Sequence, residues 1–343
     1  MKAIVFEEHG GVEQLKTAKV DYPRPGAGEA TVKVEACALN HLDIWVRIGG
    51  RPVKIPMPHI LGCDVSGTVA EVGESVVGVQ TGERVVIAPG LSCGQCAYCT
   101  GDNDSACREY KLLGFQVQGG YAEYVKVPAR NLIPVSERLS FEEWAAIPLV
   151  FVTAWHMLFT RARLRCGETV LVQSAGSGVG SAAIQLARLA GARVITTAGS
   201  DEKLLLAKAL GADETIHYQQ KDFVEETLRL TGGRGVDVVF EHNGGETFMR
   251  SLEALAIGGR IVNCGVTAGA EVTLNLSQIY LRQQTIHGSF MGSLNEQKIV
   301  IRLAEEGKIK PVIDKVYPLE EARAAHQRMQ DRQNFGKIIL KPY

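Results

Sequence analysis

Two residue patterns in this sequence have the types and spacing to do chemistry. The first is Cys93, Cys96, Cys99 and Cys107, at C-x2-C-x2-C-x7-C spacing. Four thiolates placed this way close a tetrahedral Zn²⁺ shell with no open position, which describes a structural rather than a catalytic metal. The second pattern lies in residues 167–195, GETVLVQSAGSGVGSAAIQLARLAGARVI. A β-branched run over 169–173 leads into Gly176, Gly178 and Gly180, and from Val179 the apolar period becomes helical. Val179, Ala183, Leu186 and Ala190 share one helix face until Gly191 ends it, and a second β-branched run begins at Arg193. Glycines at these points let the backbone turn tightly and approach a pyrophosphate held at a helix N-terminus. Strand, glycines, helix and second strand in that order predict a dinucleotide site, with Gly176, Gly178 and Val179 against the cofactor.

The elements that position these residues fall into two groups. Residues 1–150 read as all-β: short β-branched runs at 2–6, 30–36, 65–72, 84–87 and 121–127 are separated by turn clusters such as PRPGAGE. Residues 151–290 alternate strand and helix, with strands at 169–173, 193–197, 214–217, 237–241, 260–264 and 285–289. Six strands with crossover helices predict a doubly wound parallel sheet, so the fold class is α/β. Residues 291–343 hold two helical stretches and a last strand at 337–340, and are expected to return to the first domain. The 343 residues suffice for two cores; 45% are hydrophobic, 22% charged, and the net charge is −1. No basic excess points to nucleic acid, and no apolar run approaches the roughly 18 residues of a membrane span. The chain therefore reads as cytoplasmic, a reducing compartment in which four clustered cysteines favour zinc over disulfides. Cys37, Cys63, Cys166 and Cys264 are scattered and read as small core residues.

The stretches LGCDVSGTVAEVGESVVGVQTGERV, CGQCAYC, GGYAEYVKVP, AAIPLVFVTAWHML, the glycine loop and FGKIIL together resemble the medium-chain dehydrogenase/reductase superfamily over essentially the whole length, most closely its quinone oxidoreductase-like members. The resemblance implies a chaperonin-10-like β domain (1–150 and 291–343, with a structural zinc lobe at about 90–110) and a Rossmann domain (151–290), the active site lying in the cleft between them. It also implies where a catalytic zinc would be held in the alcohol dehydrogenases of the family. Asn40-His41-Leu42-Asp43 takes the place of the first ligand stretch, Gly62-Cys63-Asp64 the second, and Pro148-Leu149-Val150-Phe151 the third. The ligands have thus become Asn40, Cys63 and an apolar side chain. A substitute set of Cys37, Cys63 and Asp64 would need Cys37 three residues from the expected position, several ångströms away, so no catalytic zinc is expected.

In NAD-preferring enzymes an acid ends the second Rossmann strand. Here Ala198 stands there, Gly199 and Ser200 leave room for a 2′-phosphate, and Lys203 and Tyr218 would bind it, as such residues do in quinone oxidoreductases. Asp201 argues the other way. The expected cofactor is NADPH rather than NADH, with Thr153, Asn243 and Gly265 completing its candidate contacts. Without a Lewis acid the enzyme would deliver hydride to an acceptor that is already electrophilic: a quinone, an α,β-unsaturated carbonyl or an activated ketone. Asn40 is the candidate donor to the developing oxyanion, His41 a catalytic or phosphate-binding neighbour and Asp43 an orienting group. Loop residues in 40–60, 110–120 and 265–295 are expected to line the pocket. Two other readings are an alcohol dehydrogenase with an atypical zinc set and an NADPH-binding structural or regulatory module. The uncharged run 285–291, on the last strand of the sheet, predicts a homodimer or homotetramer.

Overall fold

The computed structural model describes residues 1–50, Val53 and 55–343. Of the loop 40–60 expected to line a pocket, Arg51, Pro52 and Lys54 lie outside the described residues. The chain divides into two compact units, Met1–Val152 with Gly292–Tyr343, and Thr153–Met291.

The first unit is built on the strand Glu29–Ala38. It pairs antiparallel with Asp64–Val72 along its length, with Tyr124–Pro128 over its first half and with Lys337–Lys341 at its end. Arg84–Ile87 and Leu132–Pro134 extend the sheet on one side, and Ile313–Pro318 lies parallel to Lys337–Lys341 on the other. The register has a specific consequence. Ala38 stands opposite both Asp64 and Ile339, and Cys37 opposite Leu340, so continuing the antiparallel pairing brings Lys337 beside Asn40.

This unit is not all-β, contrary to the expectation from sequence. A helix runs from His41 to Ile48, another covers Phe141–Ala145, and Pro148–Trp155 begins in this unit. The first is too short to show a clear period in sequence. It is started by its own side chains: the Asp43 carboxylate accepts the Asn40 N–H at 2.8 Å, half of a capping box, while Ile44 and Val46 bury the inner face. Ile313–Pro318 was also not legible as a strand, because Asp314 and Lys315 interrupt its apolar residues and the strand lies at the sheet edge.

The second unit is a six-stranded parallel sheet in the order Glu214–His217, Arg193–Ala198, Thr169–Val172, Val236–Glu241, Leu255–Asn263, Thr285–Gly288. Its inner strands are largely apolar and buried because helices cover both faces. Leu171, Ile195, Ile216, Val239 and Ile261, one from each of five strands, pack with Phe248 and Leu252 into one core. The chain order reverses at Thr169–Val172, which places the topological switch point at the carboxyl end of that strand.

Candidate active site and metal lobe

Four segments of the first unit converge on Asn40. The Lys337 ammonium donates to the Leu39 carbonyl (2.7 Å), Asn40 Oδ1 (2.6 Å) and Asp64 Oδ2 (2.8 Å). An ammonium has three hydrogens, and three acceptors surround this one. Asn40 Nδ2 donates to Asp64 Oδ2 (2.9 Å) and to Cys63 Sγ (3.2 Å), and Asp64 Oδ1 accepts the Leu149 N–H at 2.7 Å. The side chains of Lys337 and Asp64 are 3% and 0% exposed. Because an ammonium cannot accept a hydrogen bond, the Asn40 amide is oriented with its oxygen on Lys337.

Asp43 sits in the next layer. It accepts from Asn40 N, from Gly62 N (3.2 Å) and from the Tyr121 hydroxyl (3.1 Å), which in turn lies 3.2 Å from His326 Nε2. Burial dominates over these donors and pushes the Asp43 carboxyl up to about 6. His41 is exposed on the first helical turn and packs edge-on against Trp45, 5.2 Å between ring centres.

This donor set does not fit a divalent metal. The three stretches that resemblance assigns to zinc ligands do meet, through Asn40, Cys63, Asp64 and Leu149. But the positive charge against Asp64 is an ammonium, and the side chains at the first and third stretches, an amide and an apolar group, are not ligands for such an ion. Among the described residues, the one group of three or more His, Cys, Asp or Glu with ligand atoms gathered within metal-binding reach is Cys93, Cys96, Cys99 and Cys107.

Those four sulfurs lie within 4.8 Å of one another, with Cys93–Cys99 at 3.8 Å and Cys96–Cys99 at 3.5 Å. A tetrahedron with Zn–S bonds of about 2.3 Å has S–S edges of roughly 3.8 Å, so the set fits zinc. Backbone N–H groups also point at sulfur, from Gly94 to Cys99 (3.3 Å) and from Cys93 to Cys107 (3.4 Å). N–H groups of Gln95 and Cys96 hold the Cys93 thiol below its usual range.

In the second unit the glycine loop fits a dinucleotide phosphate. Ser177 caps the helix Gly178–Leu189 by accepting the Gly180 N–H at 2.8 Å. A Cβ at Gly180 would stand 2.0 Å from the Ser174 carbonyl, so only glycine lets helix and loop approach this closely. His242 and Asn243, from the end of the neighbouring strand, hold the loop: Ser174 N donates to His242 Nε2 (3.2 Å) and Asn243 Nδ2 to Ser174 Oγ (3.4 Å). Gly265 packs against the His242 carbonyl, where a Cβ would sit at 2.5 Å. Thr153 is buried with its hydroxyl unpartnered. At the second strand end Ala198 is buried and Ser200 caps the helix Asp201–Ala209, its hydroxyl accepting the Lys203 N–H. The Tyr218 hydroxyl reaches over Gly199, where any Cβ would stand 2.6 Å from it. Lys203 is half-buried one turn into the helix, and Asp201 is exposed.

Sequence reasoning missed Lys337, Tyr121, His326 and His242. Only Lys337 carried a signal: a lone charge within the strand FGKIIL, whose neighbours are apolar.

Residues 26–137 match the alcohol dehydrogenase GroES-like domain family, and 178–306 the zinc-binding dehydrogenase family. A solved structure of an NAD-dependent alcohol dehydrogenase superimposes with a TM-score of 0.97 at 49% identity, covering 100% of both chains. The quinone oxidoreductase of Rattus norvegicus is 32% identical over 99% of this chain and 97% of its own. The acryloyl-coenzyme A reductase of Metallosphaera sedula is 33% identical over 99% of each. The chain belongs to the medium-chain dehydrogenase/reductase superfamily and is an NAD(P)-dependent oxidoreductase. Among the described residues no helix is long and apolar enough to cross a membrane.

Two predictions come from this geometry. Cys96→Ser opens the four-sulfur shell, so it should release zinc and lower the melting temperature while hydride transfer on the surviving folded protein continues. Zinc analysis and calorimetry check this, and retained zinc would remove Cys96 from the shell. The second concerns Asp43, at about 6 when folded against 3.8 for the ordinary carboxyl. Between those values the folded chain holds a proton the unfolded chain has lost, so stability falls as pH rises across that window and levels off above it. Asp43→Asn should flatten this part of the curve of melting temperature against pH; an unchanged slope would assign it to other groups.

Proposed function

We propose that the protein transfers hydride from NADPH to a quinone, an α,β-unsaturated carbonyl or an activated ketone, without a catalytic zinc. The observation that carries this reading is the Asn40–Asp64–Lys337 cluster: an amide and an ammonium stand among the stretches that would otherwise bear metal ligands. NADPH, when bound, supplies the hydride. The protein binds and orients it through the glycine loop, with Thr153, Asn243 and Gly265 around the switch point. Ser200, Lys203 and Tyr218, about a strand end that has no carboxylate, suit the added 2′-phosphate. A second reading, NADH, is favoured by the similarity to the NAD-dependent alcohol dehydrogenase and by Asp201.

At the acceptor, Asn40 has one amide hydrogen on a carboxylate and the other toward the Cys63 thiol, a weak acceptor, with the Ala38 carbonyl at a long 3.5 Å. The thiol-bound hydrogen is the one most easily given to an oxygen on which charge develops. Asp43, holding the Asn40 backbone N–H, keeps the residue in place. Losing such a donor lowers the rate by about 10²–10³-fold when it acts in the transition state. Asn40→Ala should therefore lower kcat with quinones and enones and leave NADPH affinity intact. Stopped-flow hydride transfer on the folded variant checks it, and an unchanged rate would remove Asn40 from the chemistry.

Lys203→Ala should weaken NADPH by roughly 1.5–3 kcal/mol, the range of a charge-assisted hydrogen bond, and leave NADH almost unaffected. Equal loss for both, or for neither, in a binding titration would contradict the phosphate role.

Among the described residues the edge strand Thr285–Gly288 pairs with Leu255–Asn263 alone, and Ile286 on it, Phe290 just after it and Leu276, Tyr280 and Leu281 before it in the chain are exposed. Two-fold pairing with a second copy would cover both the edge and this apolar surface. Sedimentation at micromolar concentration should therefore show a dimer or a multiple of it, and a monomer would refute the assembly.

A further inference from the structure

The family contains metal-dependent alcohol dehydrogenases, yet the meeting point of the stretches that resemblance assigns to catalytic zinc ligands holds a lysine. We propose that Lys337 is the resident cation of this site, excluding a metal there, and that it is the positioning residue that fixes the Asn40 amide. This rests on the reading of Asn40 as the donor to the acceptor oxygen.

The register of the strand Lys337–Lys341 against Glu29–Ala38 delivers the ammonium to Asn40 from inside the protein, with no approach from solvent needed. All three of its hydrogens are used, on Leu39 O, Asn40 Oδ1 and Asp64 Oδ2. It therefore does not itself touch substrate; its effect passes through the groups it holds. An asparagine amide has two orientations differing by a half-turn, and only one places the oxygen on the lysine and the nitrogen on Asp64 and Cys63. With Lys337 and Asp64 both present, the flipped amide would face a cation with hydrogens and an anion with oxygen. The pair thus holds the donor in one orientation before any acceptor arrives, which is the preorganisation that oxyanion stabilisation requires. The ammonium also occupies Asp64, the carboxylate a divalent ion would need beside Cys63.

A buried ion pair can equally serve only the fold, and a double-mutant cycle separates the two roles. Lys337→Met alone leaves Asp64 buried without its cation and should lower the melting temperature strongly. Lys337→Met combined with Asp64→Asn removes both charges and should recover much of that temperature. The amide of Asn40 is then no longer held in one orientation, so kcat should stay about 10²-fold below the native value, the effect of misplacing a reacting group. The KM for NADPH should not change. Recovery of kcat together with stability would show that Lys337 merely balances charge and would overturn the proposal.

A measurement on the native protein does not depend on variants folding. After exposure to excess Zn²⁺ and desalting, one zinc per chain, lost in Cys96→Ser, supports Lys337 as the site's cation; a second tightly held zinc overturns it. Failure of the Asn40 reading is separately visible. In that case Asn40→Ala transfers hydride at the native rate, while the zinc count stays at one.

Discussion

The ion pair between Lys337 and Asp64 is the contact on which the first unit's site depends. Burying two charges costs several kcal/mol per ion unless each remaining lone pair and hydrogen finds a partner. Here the ammonium has three acceptors, and the carboxylate takes three donors, two amide-type groups besides the lysine. Those partners come from the end of Glu29–Ala38, the start of Asp64–Val72, the first turn of Pro148–Trp155 and the strand Lys337–Lys341. One desolvated pair thus requires four segments to meet at fixed distances. A half-formed version would leave a charge without a partner, so the arrangement closes as a unit.

Around it the layers follow from ordinary hydrogen-bond accounting. Asp43 starts the helix His41–Ile48 and ties it to Gly62 and Tyr121, so the loop bearing Cys63 and the helix bearing His41 are held by one carboxylate. In the second unit the same economy appears at His242, whose ring holds the loop that would carry the pyrophosphate. In both units the polar groups placed for chemistry are positioned by residues one strand away.

What could be read from sequence was what depends on local pattern. The inner parallel strands are largely apolar runs separated by helical periods, and the glycine loop and the four cysteines are defined by spacing within about fifteen residues. Lys2–Phe6, Arg84–Ile87 and Glu214–His217 fall on the predicted residues. What was not legible depends on register or on tertiary cover. The helix His41–Ile48 is two turns long and is started by a capping contact rather than by periodicity. Asn40 was singled out as a donor, but that its hydrogens face Asp64 and Cys63 follows from sheet pairing, and that its oxygen is held by Lys337 follows from a pairing nearly 300 positions along the chain. Tyr121 and His326 are ordinary core residues in sequence, and only the fold puts their side chains against each other and Asp43.

The position of Lys337 in the chain has a consequence for biosynthesis. Asn40, Cys63 and Asp64 emerge from the ribosome early, and the whole of Thr153–Met291 follows before Lys337 is made. Domains tend to fold as they are synthesised, so the second unit can complete its core while the first still lacks its last strand. Until then a carboxylate destined for the interior has no counter-charge, and the earlier segments have no reason to close over it. On that order the second unit can fold as a finished insertion, and the first can close once Lys337 reaches Asp64.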